Sequence, residues 1–95
     1  EEIVKQFTTR QSQKSSRGIG WDMKSSDRSF SGTLTSMKTF LHTGFTGTSG
    51  VADPEKNVII IMLTNRVHPT RNSTKIFETR PRVHDAILKA VLNSL

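Results

Sequence analysis

Apolar residues recur along the chain with three different spacings, and each spacing predicts a different element. At the N-terminus Ile3, Val4 and Phe7 stand at helical intervals, so the opening residues read as the tail end of an amphipathic helix. Residues 10–18 are polar, serine-rich and basic, with nothing apolar to bury, and read as an exposed loop. Ile19, Trp21 and Met23 then alternate with Gly20 and Asp22, which predicts a short strand whose apolar face, Trp21 and Met23 above all, belongs to a core. After a further loop at residues 24–33, residues 37–45 carry aromatic and β-branched side chains before a glycine and predict a second strand. Asp53, Pro54, Glu55, Lys56 and Asn57 form a turn signal. The next seven residues, Val58 through Thr64, are all apolar or β-branched, as in a central strand covered on both faces. A long basic loop follows, holding a short turn of helix. The last residues predict a helix with Pro81 near its first turn and with Val83, Ala86, Ile87, Ala90, Val91 and Ser94 along one face.

This order predicts an α+β fold: an antiparallel sheet flanked by N- and C-terminal helices. A strand apolar on both faces needs two covering layers and a neighbour on each edge, and 95 residues offer few for either. The chain also starts without methionine, inside an apparent helix. The expectation is therefore a single segment, residues 1–95, cut from a larger domain. Composition narrows the chemistry further. Fourteen Lys and Arg against eight Asp and Glu give a net charge of +6, which attracts anions without naming one. No cysteine is present, so these residues hold no disulfide, thiolate metal site or cysteine nucleophile. No apolar run approaches the roughly 20 residues of a membrane helix, and no membrane segment is expected.

Candidate chemistry gathers in FLHTGFTGT, residues 40–48. Strand alternation puts His42 and Gly44 on one face and Thr43 and Phe45 on the other, while Gly44 and Gly47 let another backbone come close. The plainer readings are a strand histidine satisfied by a neighbour and a hairpin closed at Gly47-Thr48. His68 and His84 lack the spacing of a metal pair, and no metal or other cofactor is expected. The basic loop lacks interleaved aromatics and reads as a solvated face, so no nucleic-acid partner is expected. Asn72-Ser73-Thr74 matches a glycosylation acceptor pattern and is given no role.

HTGFTGT, ADPEKN, VIIIMLTNRVHPT and RVHDAIL occur in this order and at close spacing. Together with the GWDM strand they resemble the C-terminal part of serine β-lactamase-like proteins. The branch resembled contains class C β-lactamases, penicillin-binding esterases and D-alanyl-D-alanine carboxypeptidases, whose third motif is KTG or HTG. The resemblance implies acyl transfer to and from a serine, on an ester or amide substrate that pairs with the HTG strand by strand addition. It implies that the backbone N–H of Phe45 serves the oxyanion hole, that His42 supports proton transfer, and that Thr43 and Gly44 line the substrate. It also puts Asn65, Arg66 and His68, with Arg71, near the substrate's carboxylate, which a guanidinium suits. Export from the cytoplasm is common among such proteins, and only the resemblance speaks for it here.

The family's nucleophile motif, S-x-x-K, and its Y-x-N motif are not in this sequence, which has no tyrosine. Thr35-Ser36-Met37-Lys38 is the nearest imitation, and it precedes His42 too closely. Leu41 stands where related sequences have a small residue, and Gly50, Val51 and Ala52 where they have bulkier ones. The resemblance therefore implies that the nucleophile, its base and the first two strands of the sheet lie in a missing N-terminal part of the same fold. The rival reading is a non-catalytic binding module, or a degenerate member of the fold, that takes a peptide or an anionic polymer.

Overall fold

The computed structural model describes residues 1–25 and 29–94. The middle of the predicted loop at 24–33 and the final residue of the predicted C-terminal helix lie outside the described residues. The elements are α1 (Glu2–Phe7), β1 (Asp22–Met23), β2 (Phe40–Thr43), β3 (Ser49–Asp53), β4 (Val58–Met62) and α2 (Ile76–Asn93). The four strands form one antiparallel sheet in chain order, β1-β2-β3-β4. This is the α+β arrangement that the apolar spacing predicts.

Register follows from side-chain alternation. Leu41, Val51 and Ile60 stand opposite one another across β2, β3 and β4, and all three are buried, with Phe30 and Val58 packed against them. Burial of an aliphatic side chain of this size contributes about 1.5–3 kcal/mol, and a register slip of one residue would turn every member of the row outward. The β3–β4 turn is fixed by Asp53, whose carboxylate accepts the N–H groups of Glu55 and Lys56, and by Asn57 at φ 56°. Asp53 also accepts the Ser36 N–H at 2.7 Å and the Ser36 hydroxyl at 2.6 Å, tying the β1–β2 connection to the sheet. Burial alone would raise its carboxyl pKa. The bonds from the Ser36 hydroxyl and from the Ser36, Lys56 and Glu55 amides outweigh burial and hold the pKa below the ordinary value.

Four features differ from the sequence-based expectation. β4 is the outer strand among the described residues, not a central one: Ile59, Ile61 and Leu63 are 70–79 % exposed, because only the face bearing Ile60 is covered. In β1 the core position is Met23, whereas Trp21 and Ile19 remain 37 % exposed. Trp21 instead meets the edge of Phe40, their ring centroids 5.1 Å apart. α2 starts at Ile76, so Pro81 lies inside the helix and not in its first turn. Its buried stripe is Ile76, Arg80, His84 and Leu88, at i, i+4 spacing, while Ala86, Ile87 and Ala90 are exposed. Charged and polar groups take the inward face because carbonyls and a hydroxyl of the sheet and its loops receive them there. α1 buries none of its residues, so Ile3, Val4 and Phe7 form an uncovered apolar stripe.

Candidate active site

The HTG segment forms the end of β2 and the turn into β3. Gly44 N–H donates to Thr48 O at 2.9 Å, and Gly47 N–H donates to Gly44 O at 3.1 Å. Phe45, Thr46 and Gly47 thus make a three-residue hairpin loop, with Gly47 at φ 99° supplying the left-handed position that closes such a loop. β2 ends at Thr43, two residues earlier than the sequence pattern predicts, because the backbone turns at Phe45.

The Gly44–Thr48 bond also fixes the strand's polarity. Even-numbered residues of β2 direct their backbone groups at β3, so the odd-numbered ones direct theirs the opposite way, where Leu41 meets Asp22 of β1. β1 pairs no further, because the chain folds back through a turn in which Gly18 N–H donates to Trp21 O at 2.8 Å. The backbone of Thr43 therefore faces an edge along which the described residues place no strand. Next on that side stands Phe45, whose N–H has no hydrogen-bond partner among the described residues. An edge with a free donor is what an extended ligand can pair with.

His42 is exposed on the open face of the sheet. Its ring stands edge-on to Trp21, with 6.5 Å between centroids, and its Nδ1 lies 3.1 Å from Thr43 O. Thr43 is half-buried, on the opposite face by alternation. The Phe45 ring is 60 % exposed and lies under two guanidiniums, Arg66 at 4.6 Å and Arg71 at 5.5 Å from its centroid. Arg66 Nε also donates to Phe45 O at 2.7 Å, and its Nη1 donates to Arg71 O and Ser73 O. The loop after β4 thereby wraps the hairpin tip. Of the residues expected near a substrate carboxylate, Arg66 joins the HTG segment directly. Asn65 and His68 are exposed in the same loop, and their side chains make no hydrogen bond among the described residues.

Three further residues of α2, none of them expected to belong to the site, brace the tip and the segments beside it from below. Arg80 is 3 % exposed and donates to Gly44 O at 2.9 Å, to Thr48 O at 3.3 Å and to Gly47 O at 3.4 Å. Its guanidinium pKa sits below the ordinary value, through burial first and the nearby Arg66 charge second. His84 is fully buried, with Nδ1 2.7 Å from Phe30 O and Nε2 3.3 Å from Ser49 Oγ. Asp85 accepts the Thr33 and Leu34 N–H groups and the Thr33 hydroxyl, fastening the β1–β2 connection to α2. The signal for Arg80 and His84 was present in the i, i+4 spacing with Ile76 and Leu88. A search confined to apolar residues passes over it.

Three hydroxyls that the sequence or a histidine neighbour would nominate as nucleophiles are otherwise engaged. Ser49 and His84 form a serine–histidine pair, but both are buried, and the far ring nitrogen meets a carbonyl where a carboxylate would orient a base. Ser36 Oγ is held by Asp53, and Thr35 Oγ1 by Ser31 at 2.9 Å. Lys38 extends to Glu55, 3.7 Å away at the surface. Among the described residues no three His, Asp or Glu side chains converge as a metal site would require, and no helix is long and apolar enough to cross a membrane.

Comparison with known proteins bears on the family and the fold. A family model described as Beta-lactamase matches residues 2–81. A protein of Escherichia coli K12 is 41 % identical over 69 residues, covering 70 % of this chain and 16 % of its own length. One from Salmonella gallinarum is 36 % identical over 78 residues, covering 80 % of this chain and 18 % of its own length. Both carry the name "Putative D-alanyl-D-alanine carboxypeptidase". The chain thus spans about a sixth of the length of the curated relatives it matches. A crystal structure of a beta-lactamase from Mycobacterium bovis superposes with a TM-score of 0.79 at 20 % identity, over 94 % of this chain and 36 % of that one, and shares the fold.

Proposed function

The chain belongs to the beta-lactamase family, a family of serine-hydrolase type, and on that premise we propose that it forms one wall of the active site of an acyl-transferring hydrolase whose nucleophile lies outside these residues. The observation that carries the proposal is the free edge of β2, where the Thr43 backbone faces outward and the Phe45 N–H has no partner among the described residues, beside Arg66 and Arg71. A substrate laid along this edge extends the sheet by one strand, with its carboxylate drawn to the basic loop.

In the reaction a serine hydroxyl from outside this chain adds to the carbonyl carbon of an ester or amide. Its proton passes to a lysine or tyrosine, also outside. The carbonyl oxygen gains the electron pair and becomes an oxyanion, which the Phe45 N–H stabilises. Collapse expels the alcohol or amine with a returned proton and leaves an acyl-serine that water hydrolyses. His42, exposed at the rim, supports proton transfer, and Thr43 and Gly44 line the substrate. Asn65, Arg66 and His68 form the carboxylate side. The names of the relatives make peptides ending in D-alanyl-D-alanine the first amides to try.

The remainder of the fold is the chain's main partner on this reading. It would cover Ile59, Ile61 and Leu63 and pair with the free edge of β4, which accounts for a strand apolar on both faces. The test uses the full-length protein that carries this segment, with a chromogenic ester and a D-alanyl-D-alanine peptide. His42→Ala should lower kcat/KM by about 100-fold or more, the usual range for a positioned proton-transfer group, and His42→Lys should retain most of it. Equal activity in wild type and His42→Ala would refute the role of this strand.

A further inference from the structure

We propose that Arg80 is the positioning residue for the hairpin tip 44–48, holding the Phe45 N–H at the point where the oxyanion forms; this rests on the acyl-transfer reading above. All five carbonyls of the tip are engaged. Gly44 O receives Gly47 N–H and Arg80, Phe45 O receives Arg66, Thr46 O receives the Arg66 N–H and the Thr64 hydroxyl, Gly47 O receives Arg80, and Thr48 O receives Gly44 N–H and Arg80. Phe45 N–H, like the N–H groups of Thr46 and Thr48, has no partner among the described residues, and of these Phe45 is the one on the free edge of β2. The tip is thus gripped from two sides, by Arg66 outside and Arg80 beneath.

Two observations set Arg80 apart from a merely structural residue. Gly44 O and Thr48 O already have backbone donors, so two of its three bonds satisfy nothing that lacked a partner. They fix geometry, because one rigid fork ties both strand ends of the loop and its closing glycine to a single plane. Arg80 is also buried without a carboxylate: neither ion pair among the described residues includes it, and its neighbours are carbonyls and the Phe30 ring, 5.4 Å from the guanidinium carbon. A buried cation without an anion is costly, and a neutral amide could satisfy Gly47 O at far lower cost. What the cation adds is positive potential behind a donor aimed at developing negative charge.

The test measures kcat, KM and melting temperature for Arg80→Lys, Arg80→Ala and Leu88→Ala in the full-length protein. Leu88, fully buried two turns further along α2, reports the effect of destabilising the helix alone. Arg80→Lys keeps the charge and loses the fork. Its kcat should fall roughly 10- to 100-fold with KM within about threefold, as expected when a transition-state donor is displaced by a fraction of an ångström. Arg80→Ala should fall at least as far and also lose melting temperature, whereas Leu88→Ala should lose melting temperature with kcat retained in the folded protein. Unchanged kcat in Arg80→Lys would overturn the proposal, and so would a fall matched by Leu88→Ala. Phe45→Pro separates the two readings. If it turns over as fast as Phe45→Ala, the oxyanion role and the Arg80 role both fall. If it is slow while Arg80→Lys is normal, only the Arg80 role falls.

Discussion

Replacing Phe45 by proline deletes one hydrogen atom of interest, the amide proton at the free edge of β2. Phe45 is the first central residue of the turn closed by the Gly47 N–H to Gly44 O bond, the position at which proline's fixed φ is favoured. The lost N–H had no partner among the described residues, so no native hydrogen bond is broken. The ring is lost as well, and with it the stacking of Arg66 and Arg71, worth about 0.5–1 kcal/mol at an exposed site. Phe45→Ala removes the same ring and keeps the N–H, so the ratio of the two variants isolates the donor. Removal of one oxyanion donor typically costs about 10²–10³ in kcat, or roughly 2.7–4 kcal/mol of transition-state stabilisation. The assay is steady-state hydrolysis of a chromogenic ester by the full-length protein, with urea denaturation in parallel. Phe45→Pro should be at least about 100-fold slower than Phe45→Ala, with stabilities within about 1 kcal/mol of each other. Rates within about threefold of each other would refute the assignment of Phe45 N–H to the oxyanion.

Other consequences are checked by denaturation of purified variants. Leu41→Ala, in the buried row with Val51 and Ile60, should cost about 2–5 kcal/mol in urea unfolding. Gly47→Ala should cost at least about 1 kcal/mol, because φ 99° disfavours any side chain and the new Cβ would run into the Thr64 hydroxyl and the Arg66 side chain. Asp53 has a folded pKa below its unfolded value of about 3.9, so its contribution is complete above that value and disappears as pH falls through the folded pKa. Asp53→Asn should therefore destabilise strongly at pH 7 and much less near pH 2, and an equal loss at both would contradict the assignment. Ile61→Thr should change the stability of the 95-residue chain by less than about 0.5 kcal/mol, since the side chain is 70 % exposed, but should cost the full-length protein about 1–3 kcal/mol.

Much of the fold could be read from side-chain period alone. The unbroken run in β4 and the Asp53 turn each reflect local chemistry and appear where the sequence places them, whereas of the strand read over residues 19–23 only Asp22 and Met23 form one. The class of protein was legible from the combination of HTGFTGT with the LTNRVHP strand end, which the family match bears out. Other features depend on contacts between distant residues. The inward face of α2 is set by Arg80 meeting three carbonyls from residues 44–48 and by His84 meeting Phe30 O and Ser49, and no periodicity rule admits an arginine to a buried stripe. Trp21 was expected in the core by virtue of its size, yet it stays 37 % exposed against the Phe40 and His42 rings, and Met23 takes the buried place. The run in β4 was expected to be covered on both faces, and the described residues cover only the face bearing Ile60.

The central claim is that this chain supplies a wall and an oxyanion donor to a serine that it does not contain, and intact mass spectrometry after treatment with a fluorophosphonate tests it most directly. The account predicts no covalent adduct on the purified 95-residue chain, and one adduct on the full-length protein at a serine outside residues 1–95. An adduct on a serine or threonine within residues 1–95 would contradict it, because a nucleophile would then reside in the wall itself.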